Sequence, residues 1–207
     1  MTTISGRPRG NPFSTRHTRP GALPYLFEQG ASAESLLDQL QRQHWRGQIV
    51  GPHGAGKSTL LAALQGALAS AGLDAPLVVL RDGGASQDEL WRMLKQPSVA
   101  GSPAVNLVLL DGAEQLTWLA RQWLFWRCRR QGRGLLVTSH RDLGLPTLME
   151  IHPRVATAQR VVNQLLAGQS SPISPDDVSA AFQRQQGDMR EMLFALYDQF
   201  ERRKAKG

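Results

Sequence analysis

The chain has 207 residues, 41% of them hydrophobic, and a formal net charge of +7. This length fits one α/β domain with a small appendage, and the hydrophobic content is enough for a buried core. The single cysteine, Cys128, excludes an internal disulfide and is typical of a reducing compartment. The excess of basic residues indicates an acidic partner, either nucleic acid or an acidic protein surface.

The sequence shows no sign of membrane targeting or membrane insertion. Arginines occur near the N-terminus without an apolar stretch after them, so no signal peptide is expected. No apolar run approaches the roughly 20 residues that a membrane-spanning helix needs. We therefore expect a cytoplasmic protein without a membrane span.

The first 30 residues read as an extended basic arm, rich in proline and glycine. Its prolines are Pro8, Pro12, Pro20 and Pro24. A helix follows at 32–43, with Ser32 as its N-terminal cap and leucines along one face. Trp45 then leads into the first predicted strand.

A phosphate-binding motif lies at residues 51–58, Gly-Pro-His-Gly-Ala-Gly-Lys-Ser. It fits the pattern G-x-x-x-x-G-K-[ST] without departure. Ile49 and Val50 read as the end of a short buried strand, and leucines recur at helical spacing after the motif. This strand–loop–helix context is that of the P-loop NTPases, so the sequence predicts a nucleotide-binding site.

The chemistry expected of this loop follows from its residue types. Its backbone N–H groups form a nest for phosphate oxygens, and the start of the helix adds a partial positive charge. Lys57 is expected to reach the β- and γ-phosphates of ATP, the Ser58 hydroxyl to hold Mg²⁺, and Thr59 to lie near the α-phosphate. The predicted nucleotide-binding residues are Gly51, Pro52, His53, Gly54, Ala55, Gly56, Lys57, Ser58 and Thr59.

Strands and helices alternate after the motif. Unbroken apolar segments predict further strands at 76–80, 105–110, 134–138 and 147–151. Helical spacing predicts helices at 86–94 and 114–131. From Arg154 onward the β signal disappears and only helical patterns remain.

The predicted fold class is therefore α/β. We expect a P-loop NTPase parallel sheet sandwiched by helices, with a small C-terminal all-helical lid. The predicted division is an arm at 1–30, an α/β core at 31–153, and a lid with a basic tail at 154–207.

A magnesium ligand is predicted at the end of the third strand. Asn106–Asp111 is an apolar strand with an acid at its carboxyl end, the pattern known as Walker B. Because ligands bind beyond the carboxyl ends of parallel strands, Asp111 and the P-loop would share one edge of the sheet. The alternative is that Asp111 only opens a turn, since Asp-Gly is a common turn dipeptide.

Hydrolysis also needs a residue that orients or deprotonates the attacking water. Many ATPases place a glutamate directly after the Walker B aspartate, where this chain has Gly112. The nearest acid, Glu114, either reaches the site or lies in the first turn of the following helix, where the helix dipole favours an acid. Ser139, next to Thr138 and His140 after the fourth strand, either senses the γ-phosphate or caps a loop.

With these motifs in order, the sequence resembles the AAA+ ATPases and the related STAND-type signalling ATPases. Walker A, Walker B at 107–111, a polar sensor-1-like Ser139 and a helical lid follow one another as in those families. The resemblance implies a sensor 2 role for Arg190 in segment 187–193, where a basic residue near the start of a lid helix contacts the γ-phosphate. Gly112 departs from the usual Asp-Glu pair and is closer to the STAND pattern.

These observations predict an ATP-binding protein, a Mg²⁺-dependent ATPase that works as a regulatory or assembly switch through lid movement. The expected catalytic residues are Lys57, Glu114, Ser139 and Arg190, and the expected Mg²⁺ ligands are Ser58 and Asp111. The expected partner is another protein or a second copy of the chain. Two alternatives stay open: a small-molecule kinase whose arginines close on a transferred phosphate, and a nucleic-acid-linked ATPase that uses the basic arm and tail. The arginines of the kinase alternative are Arg127, Arg129, Arg130 and Arg133.

Overall fold

The computed structural model describes residues 10–28, 30–80, 85–96, 106–166 and 171–205. The chain divides into two compact units. A sheet unit comprises residues 27–152, and a helical unit combines the residues before 27 with those from 153 onward. Among the described residues, no helix is both long enough and apolar enough to cross a bilayer.

Five strands form one parallel sheet in the sheet unit. They are β1 (Arg46–Val50), β2 (Leu77–Val79), β3 (Val108–Asp111), β4 (Leu135–Ser139) and β5 (Thr147–Glu150). Their order across the sheet is β2-β3-β4-β1-β5, and every paired neighbour is parallel. Two of the three interior strands, β3 and β4, are almost wholly buried, as expected for apolar strands covered on both faces. The predicted parallel sheet is confirmed.

Eight helices accompany the strands in the described part of the chain. They are α1 (Thr15–Thr18), α2 (Ala33–Arg42), α3 (Lys57–Ser70), α4 (Ala85–Lys95), α5 (Trp118–Arg130), α6 (Val155–Leu166), α7 (Pro175–Arg184) and α8 (Met189–Lys204). Ser32 caps α2 as predicted, through a reciprocal pair of bonds with Ser35. Helix α4 begins at Ala85, one residue before the predicted start, and segment 81–84 lies outside the described residues.

The segment after β3 departs from the continuous helix predicted at 114–131. Gly112 has a left-handed φ of +86°, and Ala113–Gln115 forms a single 3₁₀ turn. The chain then extends, and Thr117 caps α5 by accepting a bond from a backbone N–H of its first turn. Glu114 therefore lies in a separate turn that directly follows β3, not in the first turn of α5.

Side chains near the end of α5 bind the carboxyl end of α4. Arg127 and Gln131 donate hydrogen bonds to the carbonyl oxygen of Leu94, at 3.4 and 3.1 Å. Arg133 donates to the carbonyl oxygen of Gln96 at 2.7 Å. The last carbonyls of a helix have no partner within the helix, so these donors complete the end of α4.

One face of α5 exposes large apolar side chains. The exposed fractions are 62% for Trp118, 71% for Leu119, 43% for Trp123 and 52% for Trp126. The opposite face of α5 contributes buried side chains to the core of the sheet unit. We call these four residues the aromatic face.

The helical unit has its own core, formed by α6, α7, α8 and part of the N-terminal segment. Phe13 is fully buried in this core and meets Phe200 edge-on, with 6.0 Å between the ring centroids. Asn11 donates a 3.0 Å bond to the main-chain oxygen of Tyr197. Part of the predicted arm is thus built into the helical unit.

An ion pair connects two helices of this unit. Arg203 on α8 donates from both terminal nitrogens to the carboxylate of Asp177 on α7, at 2.6 and 2.8 Å. The arginine lowers the pKa of Asp177 well below its ordinary value. Two parallel bonds of this kind fix orientation as well as distance.

Candidate functional site

The loop between β1 and α3 has the tight course that its glycines permit. At Gly51 the backbone passes so close to the end of β5 that an added Cβ would lie 2.8 Å from the carbonyl oxygen of Ile151. Gly56 precedes α3 with a left-handed φ of +96°, a conformation that side-chain-bearing residues rarely adopt. The helix begins at Lys57, so its free N–H groups face the loop.

Lys57 is held inside this loop by its own backbone. Its side chain is buried, and Nζ donates to the carbonyl oxygens of Gly51 and Pro52 at 2.8 and 2.7 Å. Ser58 and Thr59 are partly buried in the first turn of α3, and His53 is exposed at the tip of the loop. A single ammonium group is thus fixed beside the backbone N–H groups of the loop.

Strand pairing brings the other predicted residues to the same edge of the sheet. β4 lies between β3 and β1, and its last residue, Ser139, pairs with Val50 immediately before the loop. The Gly51 N–H donates to the Ser139 carbonyl oxygen at 3.2 Å. The Ser139 hydroxyl is buried and accepts a bond from the Arg141 N–H at 3.2 Å. Its sensor role stays a prediction.

Asp111 is fixed by a side chain that the sequence did not single out for this purpose. The Thr138 hydroxyl donates to Asp111 Oδ1 at 2.6 Å and accepts from the Gly112 N–H at 2.9 Å. Thr138 is buried, so both bonds are shielded from water. The sequence signal for this role is a hydroxyl residue near the end of β4, the strand that pairs with the Walker B strand β3.

Glu114 lies against the segment that follows β4. Its Oε1 is 2.5 Å from Nε2 of His140, and the His140 ring lies 3.6 Å from the His53 ring between centroids. Burial, and next the charge of Lys57, lower the pKa of His140 below its ordinary value, although Glu114 acts in the opposite direction. Through His140 and His53, Glu114 is linked to the phosphate loop, and its catalytic role stays a prediction.

A buried glutamine in β1 fixes the segment that carries His140. Gln48 has no exposed surface and donates to Asp142 Oδ1 at 2.6 Å and to the Leu145 carbonyl oxygen at 2.8 Å. Its Oε1 accepts from the Leu143 N–H at 2.9 Å. Sequence reasoning missed this residue, although a glutamine in an otherwise buried strand is an observable signal because buried amides need partners.

Arg190 belongs to the helical unit. It is exposed in the first turn of α8, which Asp188 caps by accepting bonds from the N–H groups of Arg190 and Glu191. Its guanidinium carbon lies 5.9 Å from the ring centroid of Phe194. Its sensor 2 role stays a prediction.

The residues at the sheet edge fit a hydrated magnesium ion bound to a nucleotide. Mg²⁺ prefers oxygen ligands and usually takes one or two from the protein, with the rest from water and phosphate. Ser58 offers a hydroxyl and Asp111 a carboxylate that is only partly buried. The buried Lys57 ammonium and the N–H groups at the start of α3 fit phosphate oxygens in the same way.

Solved structures that resemble this chain include DNA replication initiation proteins. No protein-family model matches the sequence, and no curated protein matches it. AMPPCP-bound DnaA from Aquifex aeolicus is 16% identical, with a TM-score of 0.55 over 88% of this chain and 67% of that one. Domain III of the Thermotoga maritima replication initiation protein DnaA is 13% identical, with a TM-score of 0.56 over 83% of each chain.

A structure described as a DNA replication initiation factor is 15% identical, with a TM-score of 0.53 over 84% of this chain. The chain spans 63% of that protein's length. At these identities the likeness concerns the fold. The fold is that of the AAA+ P-loop ATPases, as the order of motifs predicts.

Proposed function

We propose that the protein binds ATP with Mg²⁺ and hydrolyses it, and that the cycle works as a regulatory or assembly switch in the cytoplasm. The observation that carries this proposal is a complete Walker A loop with a buried Lys57. Asp111, at the end of β3, and Glu114, in the turn that follows it, lie at the same edge of the sheet. The nucleotide bound by structurally similar DnaA, AMPPCP, is an ATP analogue. Similar folds host many functions, so the residues of the site are the stronger support.

Each group at the site has a chemical task in this proposal. The loop N–H groups and Lys57 bind the phosphates, and Lys57 leaves the carbonyl oxygens of Gly51 and Pro52 to do so. Ser58 and Asp111 hold Mg²⁺, which when bound neutralises negative charge on the phosphates. Glu114 receives the proton of the attacking water. Ser139 and Arg190 contact the γ-phosphate.

Binding and turnover test this proposal separately. Titration with a fluorescent ATP analogue measures binding, and phosphate release with and without Mg²⁺ measures turnover. Lys57→Ala should lose binding, whereas Glu114→Gln should keep binding and lose turnover. Lys95→Ala, at the exposed end of α4, is the matched control for removal of a lysine. Unchanged binding by Lys57→Ala would refute the site.

The switch requires that ATP and ADP favour different positions of the lid. A ligand shifts such an equilibrium only by the difference in its affinity for the two states. Arg190 would provide this difference by contacting the γ-phosphate, which ADP lacks. Arg190→Ala should therefore weaken ATP binding and leave ADP binding unchanged, whereas Arg184→Ala, exposed at the end of α7, should change neither.

The aromatic face of α5 is the proposed surface for an acidic protein partner. Tryptophan and arginine are enriched at the centres of protein interfaces. Helix α5 contains no acidic residue, and its exposed Arg129 and Arg130 form no ion pair with another described residue. The Arg130 guanidinium lies 5.6 Å from the Trp126 ring centroid. A partner with carboxylates around an apolar centre complements this surface.

Photo-crosslinking from position 126, followed by purification of the captured protein, tests this surface. The purified partner should lose affinity for Trp126→Ser and at high salt, and Trp45→Ser, outside α5, is the matched control. A captured protein whose affinity is insensitive to both changes would contradict the assignment.

The two alternative functions have their own tests. A nucleic-acid-linked ATPase predicts oligonucleotide binding that falls steeply with salt, because counterions are released from the phosphates. One solved DnaA structure that resembles this chain, at 14% identity and a TM-score of 0.55, is described as bound to single-stranded DNA. The kinase alternative has less support, since Arg127 and Arg133 bind carbonyl oxygens at the end of α4.

A further inference from the structure

The two oxygens of the Glu114 carboxylate have different surroundings. Oε1 lies 2.5 Å from His140 Nε2. Oε2 is buried and accepts no hydrogen bond from any described residue. Only about a fifth of the Glu114 side chain is exposed, at 19%. One oxygen is therefore anchored, and the other is desolvated with its lone pairs unused.

The direction of the anchoring bond follows from the groups involved. A carboxylate only accepts, so His140 Nε2 carries the proton and donates it to Oε1. The groups that face this imidazole are Lys57, His53 and Glu114. Burial and the positive charge of Lys57 disfavour a charged imidazole, so the neutral ring with its proton on Nε2 is the form that fits.

The pair also lies next to the phosphate loop. His53, at the tip of that loop, stacks at a tilt of 54° against the His140 ring. In turn, Gln48 binds Asp142 and Leu143, which fixes the segment immediately after His140. The segment that follows His140 and the ring of His53 together fix the position of the imidazole. From this fixed position His140 can orient Glu114.

We propose that His140 is a positioning residue for ATP hydrolysis: through its bond to Oε1 it holds the Glu114 carboxylate beside the phosphate loop, where that carboxylate takes the proton from water. In this step the water oxygen bonds to the γ-phosphorus while the bond from the γ-phosphorus to the bridging oxygen breaks. ADP leaves with the electron pair of that bond, and one water proton passes to the Glu114 carboxylate. The inference rests on the proposed function and assigns the residue that orients its water-activating carboxylate.

This arrangement replaces the glutamate that usually follows the Walker B aspartate. Gly112 stands at that position, and its left-handed φ of +86° starts the 3₁₀ turn that carries Glu114 to His140. A base oriented by a third group is a recurring feature of activated water and nucleophiles. The sequence Asp-Gly-Ala-Glu, followed by a histidine after β4, is thus one functional set.

The test compares His140→Ala and His140→Asn with wild type and with His152→Ala. His152 is an exposed histidine that lies 3.4 Å from an exposed glutamate, so it controls for the loss of a His–Glu contact as such. Steady-state phosphate release at saturating ATP gives kcat, an ATP analogue that resists hydrolysis gives Kd, and thermal unfolding identifies any variant that is not folded.

His140→Ala should lower kcat by about tenfold to a hundredfold, part of the effect of a general base, while Kd for the analogue changes less than about twofold. His140→Asn should recover part of the rate, because its amide also donates an N–H.

Three results would overturn the inference. If His140→Ala and wild type share the same kcat while Glu114→Gln is inactive, Glu114 acts without His140, and the proposed function survives. If Glu114→Gln keeps full turnover, the Glu114 carboxylate is not the proton acceptor. If wild type binds ATP but never releases phosphate, the hydrolytic part of the proposed function fails together with the inference, and nucleotide binding stands alone.

Discussion

The hydroxyl of Thr138 donates a hydrogen bond of 2.6 Å to Oδ1 of Asp111, across the boundary between β4 and β3. The hydroxyl oxygen of Thr138 also accepts a hydrogen bond from the Gly112 N–H. One buried side chain thus fixes both the carboxylate expected to bind magnesium and the start of the turn that carries Glu114.

Replacing Thr138 by valine removes this hydroxyl and keeps the side-chain shape. The Gly112 N–H loses its partner, so we expect unfolding to become easier by about 1–3 kcal/mol. The Mg²⁺ concentration for half-maximal nucleotide binding should rise as well. Chemical denaturation and Mg²⁺ titration measure the two effects. Thr138→Ser keeps the hydroxyl and should retain most of the metal affinity; equal Mg²⁺ dependence in both variants would contradict this role.

Gly51 and Gly66 offer a matched pair of glycine-to-alanine substitutions. A methyl group at Gly51 would meet the Ile151 carbonyl oxygen at 2.8 Å, whereas at Gly66, inside α3, nothing lies within 4 Å. We expect Gly51→Ala to destabilise by about 1–3 kcal/mol through overpacking. Gly66→Ala should stabilise by about 0.5–1 kcal/mol, because alanine favours the helix. Thermal unfolding measures both changes in stability. If both variants are stabilised, the backbone near Gly51 shifts to accept the added methyl group.

Replacing Gln48 by methionine should loosen the segment after β4. The Leu143 N–H loses its acceptor, so its hydrogen exchange should accelerate by about tenfold, the equivalent of one buried hydrogen bond. Gln48 is also the main cause of the lowered pKa of Asp142, so that pKa should rise in the variant. NMR follows both quantities. Gln122→Met, on an exposed position of α5, should change neither.

Cys128 should stay unreactive in the folded protein. Burial raises the pKa of its thiol to about 11, against the weaker opposing effect of Arg133 and then Arg46. Iodoacetamide at pH 8 should therefore label it only after unfolding, because the thiolate is the reactive form. The unfolded chain releases this proton near the ordinary value of 9.0, so stability should fall as pH rises from 9.0 towards 11. Labelling of native protein would contradict this burial.

The parts of the molecule that local sequence determines could be predicted. The phosphate loop depends on glycines at fixed spacing, and the apolar run before Asp111 indicates a buried strand whichever strand lies beside it. The parallel pairing followed because strands that alternate with helices are joined by crossover connections. These features predict Lys57 and Asp111 at one edge of the sheet.

Contacts between distant segments could not be predicted in the same way. The helix predicted from Glu114 begins instead at Trp118, because the left-handed Gly112 opens a separate 3₁₀ turn over Ala113–Gln115. The pairing of Glu114 with His140 depends on that turn and on the place of the segment that Gln48 binds. Such polar partners follow from three-dimensional position, not from spacing along the chain.

The hydrogen bonds of Lys57 to its own loop affect how a nucleotide binds and leaves. An arriving phosphate competes with the carbonyl oxygens of Gly51 and Pro52 for the same ammonium, so only the difference between the two sets of bonds adds to affinity. When product leaves, the lysine returns to these carbonyls and no buried charge is left without a partner. These bonds therefore stabilise the empty loop and favour release of the product, which suits a site that exchanges its nucleotide.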